Sequence, residues 1–450
     1  MLGSEPTGSM RTDSSDATRH EAFEFVEASA GIQSYVHRGN GLKALLLPDW
    51  STSVAAFMVT YHVGSRNEGA GTTGATHMLE HLMFKGSERF NKRLGTDVFE
   101  VLQQVGAQIN ATTWLDRTNY YEVLPREHLP LAASIEADRM RNALIADEDV
   151  ASERIVILNE LDRGRNEPIR NLHDEVWAAA FVAHPYRHPT IGWRSDVETV
   201  SADDLRAFYN TYYWPDNATA TVIGAIDVAE SLSLIDACFG AIPRSPHPIP
   251  VVRTREPVQT GPRRVVVRQA GEVGAVIRAY KGPSALERDA DALELLSRIL
   301  TGGMSSRGYR MLTDAGLTTS VSSSAGRFRD PGLFQIYAMA GDKATLDEID
   351  AACGSMLRSV VTEGVTDEEM KRAGARIEAE EAFGRDGPFQ IAAQLNEAIA
   401  AGDWKLYTTI RERIRGVTRD DVVDAATRYL TSDRLTTGYY EPVSSNGQSV

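Results

Sequence analysis

The stretch THMLEHLMFKG, residues 76–86, sets two histidines and a glutamate within five positions. Read with its approach, TGATHMLEHLMFKG, it predicts a helix over 73–85, with Thr72 or Thr73 able to cap it and Gly86 where a C-terminal stop belongs. At 3.6 residues per turn His77 and His81 stand one above the other, with Glu80 beside them. Met78, Leu79, Leu82 and Met83 take the remaining faces, so the helix is expected to be buried nearly all round. Three ionisable groups on a buried helix are costly unless they are satisfied together. One reading is a pair of hydrogen-bonded core histidines. The other is the inverted zincin pattern HxxEH, two imidazole ligands with a carboxylate as general base.

A catalytic zinc site wants three protein ligands and an open position. The segment DEDVASERIVILNELDRG, 147–164, predicts a second helix, capped by Asp147, acidic in its first turn and ended by Gly164. Val150, Ile155, Val156, Leu158 and Leu161 mark it as packed on the core. Glu153 and Glu160 are seven apart, two turns and nearly one face, and a cation facing them would offset their burial. His184 and His188, in HPYRHP, are also four apart, but Pro185 and Pro189 forbid a regular helix, so loop contacts are expected there. His62 reads as structural, at the end of a strand.

A chain of 450 residues is too long for one ordinary core, so two or more domains are expected. The formal charge of −15 argues against nucleic acid, whose phosphates need a basic face. No apolar run approaches the roughly 20 residues that span a bilayer, so no membrane role is expected. Residues 1–21 read as a disordered leader without the apolar core of a secretory signal, and 443–450 as a disordered tail. Cys238 and Cys353 lie in apolar helical contexts and read as buried free thiols. That points to a reducing, cytoplasmic compartment, although a periplasmic protein that had lost its signal has the same composition.

Residues 242–262 hold six of the 18 prolines and read as a stiff linker. The halves on either side, 22–241 and 263–442, look related. VSADDLRAFYNTYYWPDNATATVIG ends the first and VTRDDVVDAATRYLTSDRLTTGYY the second. Each has a Ser or Thr cap before Asp-Asp, a helix with a tyrosine at the same offset (Tyr212, Tyr429) and then a β-rich run. Apolar runs such as 53–64, 118–124, 218–224, 275–280 and 333–340 predict strands with helices between them. The expected fold class is α+β: two homologous domains, each a mainly antiparallel sheet with helices packed on it.

HMLEHLMFKGS, followed 79 residues after His81 by Glu160 within ERIVILNEL, resembles the pitrilysin and mitochondrial processing peptidase family of inverted-motif zinc metallopeptidases. GAQINATTWLDRTNYYEVLP (106–125), the stretch 184–224 and TGGMSSRGYRML extend the resemblance across residues 22–442. It implies one zinc ion per chain, held by His77, His81 and Glu160, with Glu80 activating water and Glu153 supporting the site from behind. It also implies peptide substrates added to a sheet edge at Asn110 and Ala111, which are the substrate-binding candidates. In the second half of such proteins an arginine and a tyrosine often hold the substrate carbonyl. Here those positions fall on Thr313 and Thr319. The expectation is therefore an endopeptidase that cleaves short or unfolded peptides in a clam-like chamber, as the metal-bearing subunit of a heterodimer whose related partner supplies the Arg/Tyr pair. A homodimer is the alternative assembly, and a non-catalytic structural or peptide-binding subunit that keeps its zinc the alternative function.

Overall fold

The structure is a computed structural model describing residues 18–443. Of the leader expected at 1–21 and the tail expected at 443–450, residues 1–17 and 444–450 lie outside the described residues. Within the described part, His20 accepts from the Ala22 N–H at 3.3 Å and Val443 is the last residue of the final strand, so the tail expectation began one residue early. The first half runs β1 (Phe23–Ser29), β2 (Ile32–His37), β3 (Lys43–Pro48), β4 (Val54–Tyr61), α1 (Ala75–Leu82), α2 (Val98–Gln104), β5 (Gln108–Thr113) and β6 (Thr118–Pro125). It continues with α3 (Leu129–Asn142), α4 (Asp147–Arg165), α5 (Pro168–Ala180), α6 (Arg194–Thr199), α7 (Ala202–Tyr212), β7 (Ala218–Gly224) and α8 (Val228–Phe239). Residues 242–262 contain neither helix nor strand. The second half runs β8 (Arg263–Ala270), β9 (Ala275–Lys281), α9 (Arg288–Thr301), β10 (Thr318–Ala325) and β11 (Leu333–Ala340). Then come α10 (Leu346–Glu363), α11 (Asp367–Phe383), α12 (Pro388–Ala401), α13 (Lys405–Arg415), α14 (Arg419–Tyr429) and β12 (Leu435–Val443).

The duplication is explicit in the sheets. The first has the order β1-β2-β3-β7-β4-β6-β5 and the second β10-β11-β9-β12-β8. Without β1 and β2, the first sheet in reverse has the same connectivity as the second. In each, the strand that closes the half lies parallel to the strand that opens the shared motif, β7 beside β3 and β12 beside β8, and the other pairings are antiparallel. The two sheets are therefore mixed, mostly antiparallel. The matched helices agree in detail: α7 and α14 each open on a reciprocal capping box, Ser201 with Asp204 and Thr418 with Asp421, and each ends on a tyrosine.

The halves exchange helices. From α5, Leu172, Val176 and Trp177 pack on the second sheet against Ala275, Ile277 and Tyr440. From α12, Ile391 and Leu395 join the first sheet's Leu45, Ala56, Met58 and Ile223 in one core. This coverage of both faces explains why β4 and β7 are almost continuously buried and show no alternation. Among the described residues no helix is long and apolar enough to cross a membrane. Cys353 is buried and Cys238 half-buried, and both are free thiols.

Candidate metal centre

Helix α1 is shorter than the sequence predicted, Ala75–Leu82, and its cap differs. The N-cap is Gly74 at φ 86°, a backbone that favours glycine. The first-turn N–H groups of Gly74 and Thr76 donate to the two carboxylate oxygens of Glu68, each at 2.8 Å. Thr73 is not the cap because its hydroxyl is engaged elsewhere. It donates to Asp196 at 2.7 Å and accepts from the Trp193 N–H at 2.9 Å. Gly86 lies beyond the helix end, where Met83 is the C-cap. The burial expected of Met78, Leu79, Leu82 and Met83 is found.

Helix α4 packs across α1. It begins at Asp147 with Ala146 as N-cap, so Asp147 is its first residue and not the cap. Ile155 and Val156 do not pack on the core as expected; they are 63% and 47% exposed, because the face that meets α1 is the one carrying Val150, Glu153, Ile157 and Leu161. Ligand atoms of His77, His81 and Glu160 lie within 4.8 Å of one another. His77 Nε2 is 3.8 Å from a Glu160 oxygen, and the two imidazoles meet edge to face at 4.8 Å.

Geometry separates the two glutamates of α4. Glu153, nearly buried, accepts from His81 Nδ1 at 2.9 Å and from Lys85 Nζ at 2.5 Å. That contact fixes the proton on Nδ1 and leaves His81 Nε2 free as a ligand, the usual service of a carboxylate behind a metal-binding histidine. Burial pushes the Glu153 carboxyl up, but Lys85 and His81 outweigh it and hold it below the usual carboxylate range. His77 is driven down to about 3 by burial, with His81 and Arg170 adding repulsion, so its ring is neutral near pH 7. Its Nδ1 is buried without a hydrogen-bond partner among the described residues. Burial raises the Glu80 carboxyl above the usual range, and nearby Glu160 adds to this, against the opposing pull of Thr113, His81 and Arg117.

Two imidazoles and a carboxylate form a zinc donor set. Three carboxylates gather around them, Glu80, Glu153 and Glu160, with Lys85 the cation that pairs with one of them, so a divalent cation fits the charge as well. An open cleft over the site is lined by Glu80, His81, Phe99, Asn110 and Glu153. Asn110 stands exposed on β5, the edge strand of the first sheet, and its side-chain oxygen accepts from the Ala111 N–H at 2.9 Å. The Ala111 side chain is buried in the core.

Among the described residues His184 and His188 share no hydrogen-bond partner. His184 faces Asp330 at 3.1 Å and His188 faces Glu68 at 3.0 Å, both loop contacts as expected. His62 lies just past β4, its Nε2 2.9 Å from the Thr219 hydroxyl. In the second half, Thr313 ends a π-helical turn (Tyr309–Thr313) and its hydroxyl lies 3.2 Å from that of Thr318. Thr319 is exposed on β10, the edge of the second sheet. Sequence reasoning missed Glu68 and Lys85. Lys85 was open to detection, since it stands four residues after His81 on the same face. Glu68, in a glycine-rich loop, carried no periodic signal.

Residues 44–193 match the family model described as insulinase (peptidase family M16), and residues 199–376 match that of the peptidase M16 inactive domain. An uncharacterized zinc protease of Streptomyces coelicolor is 30% identical over 379 residues, 83% of this chain and 82% of that protein. The zinc protease PqqE of Helicobacter pylori is 27% identical over 92% of this chain and 95% of its own length. The crystal structure of a protease from Helicobacter pylori superimposes with a TM-score of 0.86 at 25% identity, covering 91% of this chain and 99% of that one. With both halves matched in order and a relative at that identity aligned along most of both chains, the chain belongs to peptidase family M16, the insulinase family.

Proposed function

We propose that this chain is a zinc endopeptidase of short or unfolded peptides, built from a metal-bearing domain (22–241), a linker (242–262) and a related domain without metal (263–442). The observation that supports it most directly is the convergence of His77, His81 and Glu160 across α1 and α4. Those three residues would hold the ion. When bound, zinc acts as a Lewis acid on the scissile carbonyl and makes water acidic enough to attack near neutral pH. Glu80 takes the proton from the attacking water and gives it to the departing amine nitrogen as the C–N bond breaks. Glu153 keeps the His81 ring in its ligand tautomer, and Lys85 keeps Glu153 charged. An extended peptide adds to the free edge of β5, where Asn110 reaches the cleft and Ala111 offers main chain.

Thr313 and Thr319 stand at the positions where the family resemblance places an arginine and a tyrosine, so the working form in this reading is a heterodimer with a related chain that supplies that pair. The test is hydrolysis of a quenched fluorescent peptide by the purified, zinc-loaded chain. Glu80→Gln is expected to keep the metal and lose turnover; equal turnover in that variant would remove Glu80 from the mechanism. Weak turnover that rises on adding the related chain supports the heterodimer, and robust turnover by the chain alone overturns it.

A further inference from the structure

The turn HPYRHP, 184–189, is held from one side by the linker and the second half of the chain and on the other holds the start of α1. On the first side, Glu256 accepts from the N–H groups of Val182, Ala183 and His184 at 2.9–3.0 Å and pairs with Lys281 at 3.4 Å. His184 Nδ1 accepts from the Tyr186 N–H, so its Nε2 carries the proton and donates to Asp330 at 3.1 Å. Asp330 also accepts from Arg66 Nε at 2.6 Å, and its own N–H donates to the Tyr186 hydroxyl at 3.1 Å. On the other side, His188 Nε2 donates to the Ser65 carbonyl at 2.9 Å and to Glu68 at 3.0 Å. Glu68 is the carboxylate that receives the first N–H groups of α1.

The chain then presses main chain on main chain. A Cβ on Gly192 would lie 2.4 Å from the Thr73 carbonyl oxygen, and one on Gly74 2.5 Å from that of Ile191. Both glycines have positive φ, 89° and 86°. Helix α1 has only eight residues and no side-chain cap of its own, so its orientation depends on what grips its first turn. His77 is the third residue of that helix, and a tilt there moves it relative to Glu160 on α4.

We propose that the second half of the chain positions the metal-bearing helix through this turn, with Asp330, His184, His188 and Glu68 as positioning residues. The inference rests on the zinc reading for its consequence, while the mechanical coupling is measurable in metal-free protein. The experiment uses the full chain with Asp330→Ala, His188→Ala and the double variant. Asp330→Asn keeps the shape and one acceptor, and serves where Asp330→Ala does not fold. Zinc affinity is read by competition with a chromophoric chelator, and amide exchange of residues 74–80 by mass spectrometry without metal. Each single variant is expected to weaken zinc binding about tenfold, the low end for partners behind a metal ligand, and to speed exchange at 74–80 while α10 is unchanged. The double variant is expected to be no worse than the weaker single, because both cut one path. Arg307→Met breaks a buried pair with Glu369 away from the turn, and is expected to lower Tm while leaving both readouts alone. Unchanged exchange at 74–80 in the Asp330 variants, or additive losses in the double variant, overturns the proposal. Normal coupling in a wild-type chain that neither binds zinc nor cleaves peptide would overturn the peptidase reading and leave the coupling standing.

Discussion

Glu153→Gln tests the division of labour between the two glutamates of α4. The substitution keeps the shape and removes the charge. Wild-type Glu153 accepts one bond from His81 Nδ1 at 2.9 Å and one from Lys85 Nζ at 2.5 Å, in a nearly buried setting. Glutamine has one acceptor oxygen, so either His81 or Lys85 is left facing an NH2 group. A hydrogen bond to a charged group contributes about 1.5–3 kcal/mol net, and loss of a partner behind a metal-binding histidine typically weakens metal binding about 10–100-fold. At about 1.4 kcal/mol per tenfold the two ranges coincide. The zinc Kd of Glu153→Gln is therefore expected to rise about 10–100-fold in a chelator competition at pH 7. Turnover in excess zinc should fall much less, since Glu80 is untouched. Glu160→Gln removes a donor outright and is expected to lose far more affinity. An unchanged Kd for Glu153→Gln would refute the supporting role. A larger loss for Glu153→Gln than for Glu160→Gln would mean that Glu153, not Glu160, is the ligand.

Three further expectations follow from single groups. Glu80→Gln should retain zinc, by metal analysis after dialysis, and lose about 10²–10⁴ of peptide turnover, the usual contribution of a general base; a loss below tenfold would count against it. Arg307 holds the Glu369 carboxyl at about 2, against an ordinary 4.5, so this pair stabilises the fold above pH 4.5 and the contribution disappears as pH falls through the folded value. After allowance for solvent screening it amounts to about 1–2 kcal/mol, and denaturant titrations from pH 7 to 2 should show Glu369→Gln losing less stability than wild type across that window; parallel curves would contradict the pairing. Gly192→Ala puts a Cβ 2.4 Å from the Thr73 carbonyl at φ 89°, and is expected to cost about 2 kcal/mol or more, seen as a drop of about 2 °C or more in Tm for a chain of this length; an unchanged Tm would show that the contact relaxes freely.

What could be read in the sequence is what local geometry encodes. The i,i+4 spacing of His77 and His81 is fixed by any helix, so the metal face was visible before the fold. The choice between Glu153 and Glu160 came from the family resemblance and not from spacing, because both lie towards α1 and only the crossing of the helices decides which oxygen meets the histidines. The same limit explains the error at Ile155 and Val156: β-branched side chains on the solvent face add to an apolar count without joining the core. Strand β10, TTSVSSSA, escaped notice because it is an edge strand rich in serine, exposed along much of its length. Thr73 satisfied the local rule for a cap and was outcompeted by Asp196 and Trp193, partners more than a hundred residues away. Arg66 and Asp330 are 264 positions apart, a separation at which no periodicity operates.

The duplicated topology also says why one half alone is an incomplete enzyme. In both halves the connection between the second and third of the shared strands is available for function: β4 to β5 carries α1 with its histidines, while β9 to β10 carries α9, which has none, and the π-helical turn ending at Thr313. The third helix after β6 is α5 and the third after β11 is α12, and each crosses to cover the other half's sheet. Removing the second half would therefore uncover Leu45, Ala56, Met58 and Ile223, the face of the first sheet opposite α3 and α8. It would also strip α5 of the surface that Trp177 packs on. At roughly 25 cal/mol per Å² of apolar surface, exposure of four core side chains and one indole exceeds what a marginally stable domain tolerates. The second half is thus part of the foundation of the candidate metal site.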